Sequence, residues 1–149
     1  MNRTTPTRRR GIAAAMLGLG AALALAAPAT IAVSQESPPL TLGLDIESPA
    51  VLVARGAAVT VPVEVVCTAG AQGNVFVSVT QRAGSANATG QGGENFTCTG
   101  GTQVIDVLVQ GSSGRSFKKG AASAVSQAFV CNENGCVEAR DEEVIQIAR

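Results

Sequence analysis

From residue 40 onward, apolar and polar residues alternate along most of the chain. Leu40, Leu42, Leu44 and Ile46 alternate with Thr41, Gly43 and Asp45, the two-residue period of a half-buried strand. Pro49 interrupts the pattern, and residues 51–53 follow as a short edge piece. Val59, Val61, Val63, Val65 and Cys67 carry the strongest signal, with Thr60, Pro62, Glu64 and Val66 between them. The odd-numbered face of this strand points inward and takes Cys67 into the core. Pro62 has no N–H to give a ladder, which predicts that part of the strand lies at a sheet edge. Val75, Val77 and Val79 mark another strand.

Residues 83–93 hold four glycines among small polar residues and read as a loop. Residues 95–98 then form a short strand that sets Cys98 opposite Cys67. Residues 103–110 turn Ile105, Val107 and Val109 inward. Residues 120–131 are small and alternating, with Val125, Phe129 and Cys131 on the face assigned to the core. Alanines within 121–128 are weak strand formers, and their small size lets one sheet approach another closely. Val137 and residues 144–147 close the chain. About seven short strands at this spacing predict an all-β fold, an immunoglobulin-like antiparallel β-sandwich over residues 40–149.

The first 39 residues follow another logic. Arg3, Arg8, Arg9 and Arg10 precede a charge-free apolar run over residues 11–27, which leads to Ala27-Pro28-Ala29. A basic start, an apolar middle and small residues at the cleavage position predict a signal peptide over residues 1–29 and secretion to the extracellular space. The arginine pair suits either the general or the twin-arginine route. The apolar run is at the short limit for a membrane span, so no membrane attachment is expected after cleavage. Residues 30–39, with Pro38 and Pro39, form a flexible tail.

All eleven acids but only seven of the eleven bases lie after Ala29, a net charge of −4 for the processed chain. No basic stripe exists, which excludes nucleic acid as a partner; Lys118-Lys119 reads as a solvated turn. Histidine, Trp and Tyr are absent and Phe occurs four times. Without histidine the Ser-His and Cys-His nucleophile pairs are unavailable. Ser116 and Lys119 match the Ser-x-x-Lys spacing, but they lie in a Gly/Ser-rich turn rather than on the helix that this chemistry needs. Gly90, Gly92 and Gly93 lack the Gly-Lys-Ser/Thr that completes a phosphate loop. Nothing places Glu64 beside Glu94 as an acid–base pair. Asp141, Glu142 and Glu143 are consecutive, so on a strand they alternate faces and cannot all converge on one calcium ion. No catalytic, cofactor-binding or metal-ligating residue is assigned, and the chain is expected not to be an enzyme.

Cys67, Cys98, Cys131 and Cys136 all follow the signal, and four cysteines in an exported chain read as two disulfides. Three pairings are possible. Cys131 and Cys136 bound Asn132-Glu133-Asn134-Gly135, a turn sequence, which favours Cys131–Cys136 and hence Cys67–Cys98. The loop-entropy relation values the long bridge at about 3.7 kcal/mol and the short one at about 2.2 kcal/mol. A four-cysteine zinc site needs two close pairs, and Cys67 and Cys98 are 31 positions apart.

Cys67-Thr-Ala-Gly, residues 75–81, Phe96-Thr-Cys98, Phe117-Lys-Lys-Gly-Ala121 and Cys131-Asn-Glu-Asn-Gly-Cys136 together resemble small secreted actinobacterial proteins with an uncharacterised immunoglobulin-like domain. The Cys131 to Cys136 hairpin and the strand after it are also similar to apoproteins of the neocarzinostatin type. The other cysteine pair is farther apart than in that family, and no ligand residue carries over. The preferred reading is a non-catalytic extracellular binding or structural module. The alternatives are a small-molecule carrier with a cleft beside one disulfide, and an inhibitor of secreted proteases. A partner is then a small molecule or an extracellular protein. A carrier's pocket would be walled by Val and Phe, with Phe76 on the outer face of its strand and Phe117 half-exposed in a turn as candidates; the preferred account is that each ring covers a sheet edge.

Overall fold

The computed structural model describes residues 39–149; the expected signal peptide and the expected tail through residue 38 lie outside the described residues. Eight strands account for most of the chain: β1 (Leu42–Ile46), β2 (Ala50–Val53), β3 (Ala58–Cys67), β4 (Gln72–Ala83), β5 (Ala86–Thr97), β6 (Thr102–Gly111), β7 (Gly120–Asn132) and β8 (Gly135–Ala148). Among the described residues the only helical piece is the 3-10 turn Ala54–Gly56, so the fold is all-β. Seven strands close into a ring in the order β2, β8, β7, β4, β5, β6, β3, with β3 returning to β2. β1 runs ahead of β2 along the same edge of β3. The β2–β8 contact is parallel and the other pairings are antiparallel.

The core is built by the period-two pattern. Val59, Val61, Val63, Val65 and Cys67 of β3 are buried, as are Val75, Val77 and Val79 of β4, Val107 and Val109 of β6, and Ile145 and Ile147 of β8. Branched side chains suit a pleated, half-buried surface, and valine therefore replaces the aromatics that this composition lacks.

Four expectations are corrected. β3 is no edge strand, since β1 and β2 pair with one side and β6 with the other. Pro62 lies opposite the break between β1 and β2, where only the Glu47 N–H reaches its carbonyl (2.9 Å); the donor it lacks faces a gap in the ladder. Residues 83–93 are not a loop. A tight turn at Gly84-Ser85 starts β5, which pairs with β4 along its whole length. Its glycines answer a steric demand, because a Cβ at Gly92 would lie 2.1 Å from the Leu108 carbonyl oxygen of β6.

The frame of β7 is the reverse of that expected. Ala122, Ala124, Ser126, Ala128 and Val130 are buried, while Val125, Phe129 and Cys131 are on the outer face. Small inward residues leave little hydrophobic signal, so the larger outward ones set the apparent face. Finally, Phe117 is 1% exposed rather than half-exposed. Its backbone N–H donates to the Gly56 carbonyl (2.8 Å), and its ring lies against Gly90 and Gly111.

Cys67 is bonded to Cys98, with a Cα–Cα distance of 5.5 Å. Cys131 is bonded to Cys136 at 4.1 Å, directly across the β7–β8 hairpin. No free cysteine is present among the described residues.

Candidate functional site

The outer face of the β5–β4–β7–β8 sheet can be read row by row from its register. Gly93, Phe76, Gln127 and Arg140 form one row; Asn95, Asn74, Phe129 and Glu138 form the next; Gln91, Ser78, Val125 and Glu142 flank it on the other side. Phe76 is 53% exposed. Directly opposite stands Gly93, where a Cβ would lie 2.8 Å from the Phe76 ring, so the missing side chain makes room for the ring. Phe76, Val77, Ser78, Gln91, Gly92 and Gly93 border an open groove of about 340 Å³. Phe129, one diagonal step from Phe76, is half-buried. Cross-strand diagonals of this kind are within reach of aromatic rings.

Polar side chains frame these rings. The Asn74 amide donates to the Asn95 Oδ1 (2.7 Å) and to the Glu94 carbonyl (3.3 Å). The Gln127 amide donates to the Glu138 carboxylate. Arg140 pairs with Glu142 at 3.4 Å, with both side chains exposed, an arrangement that contributes little stability. The face is thus a nearly neutral surface with apolar rings at its centre and amides around them.

A second groove, of about 380 Å³, lies beside the Cys131–Cys136 bridge. Its walls are residues 68–72 together with Cys131, Asn132 and Glu133. No aromatic ring or large aliphatic side chain lines it, so it lacks the apolar wall that retains a small organic ligand.

Ser116 and Lys119 are both exposed in an irregular segment, without the helical spacing that their chemistry needs. Glu64 on β3 and Glu94 on β5 sit on strands that do not pair with each other. Asp141 and Glu143 share one face of β8, while Glu142 is on the other with Arg140. Asp45 of β1 joins Asp141 and Glu143, and one carboxylate oxygen from each lies within 4.8 Å of the others. The alternation of residues 141–143 was readable in the sequence; the arrival of Asp45, 96 positions earlier than Asp141 by number, was not, because only the path of β1 across β8 creates it.

No protein-family model and no curated protein matches the chain. Among solved structures it is similar to AggA, the major subunit of aggregative adherence fimbriae type I from Escherichia coli, at 11% identity and a TM-score of 0.40, over 75% of this chain and 96% of that one.

Proposed function

We propose that this chain is a secreted, disulfide-stapled β-sandwich of immunoglobulin-like type, working as a non-catalytic extracellular binding module through the outer face of β5–β4–β7–β8. The carrying observation is the placement of Phe76. With four phenylalanines and no Trp or Tyr, the chain leaves one ring half in water while the core closes without it. Aromatic rings ringed by adaptable amides suit recognition of another molecule. Two disulfides and the signal-type start agree with an oxidising compartment. Among the described residues no helix is long and apolar enough to cross a membrane.

The Phe76 groove also favours the carrier reading, since its volume falls within the range of small-molecule sites. Phe117 takes no part in that reading, being enclosed in the core. The inhibitor reading has less support, because the disulfide-braced loop is only the two-residue turn at Glu133-Asn134. Native mass spectrometry of the protein from its producing culture, beside F76A, tests the proposal. A binding module carries a macromolecular partner that F76A releases without loss of thermal stability. A carrier instead shows a small-molecule adduct lost in F76A. A partner retained at full affinity by F76A sinks the assignment of this face.

A further inference from the structure

We propose that Asp45, Asp141 and Glu143 form a divalent-cation site, suited to calcium, that clamps β1 onto β8. Their carboxylate oxygens lie within 4.8 Å of one another. One ion at roughly 2.3–2.6 Å from each ligand spans that separation. The strands present the ligands from two sides of a seam. Asp141 and Glu143 are two apart on β8 and share a face. Asp45 comes from β1, whose ladder with β3 leaves its other edge unpaired. The Ile46 N–H on that edge donates to Asp141 Oδ2 (2.9 Å), which fixes the orientation of one carboxylate.

Negative charge gathers at this place. Asp45 stands directly opposite Glu64 in the β1–β3 register, so a fourth acid adjoins the three, and like charges in opposed positions destabilise a sheet. Among the described residues the one ion pair is Arg140–Glu142, on the outer face of the sheet.

An independent observation comes from the core. Ser126 is 0% exposed, and its Oγ has no hydrogen-bond partner. It is the direct cross-strand partner of Asp141. Opposed residues in an antiparallel ladder project to the same side, so the orphan hydroxyl lies on the carboxylate side of β8. An unpaired buried hydroxyl is costly. A cation held by the three acids brings a ligand position or a bound water to which Ser126 can bond. The donor set is oxygen only, without free thiol or imidazole, which suits calcium or magnesium rather than zinc. Ligands from two separate strands, partly exposed, favour the adaptable coordination of calcium over the strict octahedron of magnesium.

The test uses the full, disulfide-bonded chain freed of metal by chelation. Calorimetric titration with calcium chloride should show one site. The thermal midpoint should rise by roughly 10 °C at a calcium concentration a hundredfold above Kd. Magnesium at equal concentration should shift it less, and sodium chloride at equal ionic strength scarcely at all. D141N keeps an acceptor for the Ile46 N–H; it should abolish the calcium response while matching or exceeding the metal-free wild type in midpoint, because repulsion is relieved. S126A should weaken calcium binding by roughly tenfold, as loss of an outer-shell partner does. The proposal is overturned if the wild type gives no calcium heat and no shift. It is equally overturned if D141N and E143Q respond as the wild type does, or if sodium matches calcium.

Discussion

Phe117 shows how a single residue outside any strand can hold two strands in place. β5 and β6 pair at only two positions, Gly90 with Gly111 and Gln91 with Gln110, and the Phe117 ring packs on the first of these. Its position is fixed from both sides. Gly56 accepts its N–H at 2.8 Å, and the buried Gln81 brackets Lys118, accepting its N–H and donating to its carbonyl, each at 2.8 Å. Gly56 has a φ of +92°, and a Cβ there would lie 2.2 Å from the Phe117 carbonyl oxygen, so no other residue fits. Replacing Phe117 with Ala removes a fully enclosed ring and should cost about 3–5 kcal/mol, measured by urea unfolding. F76A, which removes a half-exposed ring, should stay within about 0.5 kcal/mol of the wild type. Nothing in the sequence around Phe117 forecasts this. It lies in an aperiodic Gly/Ser segment, and its burial depends on strands far away in the chain.

At the scale of elements, legibility tracked side-chain size. β3, β4 and β6 are legible because branched residues fill consecutive inward positions in each: 59–65, 75–79 and 105–109. β5 is not, since the residues that fit beside β6 are glycines, which carry no hydrophobic mark and mimic a loop. β7 has the period of a strand but suggests the opposite frame, because Ala122, Ala124, Ser126 and Ala128 face inward and are smaller than Val125 and Phe129. The candidate surfaces divide in the same way. Phe76 on an outer face followed from alternation within its own strand, whereas the Asp45–Asp141–Glu143 cluster needed the path of β1. The steric origin of the glycines in β5 is open to measurement. Gly92→Ala drives a methyl into the β6 backbone and should destabilise by about 1–3 kcal/mol. Gly101→Ala, where an added Cβ meets no atom within 4 Å, should leave thermal stability essentially unchanged. Equal, small effects from both would refute close approach of β6 as the reason for glycine.

Across the ring of strands two seams are short, β2–β8 and β5–β6, each paired at two positions, and the long disulfide spans the second. β4–β5, β7–β8 and β3–β6 pair over nine to thirteen positions each, but the β5–β6 ladder ends at Gln91. In the β4–β5 ladder, alternation turns every second N–H of residues 92–97 away from β4, toward β6, where no ladder receives it. Cys98 follows this unpaired stretch and is tied to Cys67 at the end of β3, the other neighbour of β6. The backbone adds to the tie, with Cys98 donating to the Ala71 carbonyl (2.9 Å) and accepting from the Gly70 N–H (2.8 Å). The long bridge therefore does for the open seam what a ladder does elsewhere, whereas the short one reinforces a hairpin already fully paired up to Cys131 and Cys136. Replacing Cys67 and Cys98 together by Ser should cost about 2–5 kcal/mol. It should also speed hydrogen exchange across residues 92–97 and 102–108. Replacing Cys131 and Cys136 should cost less, with faster exchange confined to the hairpin end. Equal costs for the two pairs, or a uniform rise in exchange over the molecule from either, would show that the long bridge restrains the unfolded chain without supporting this seam.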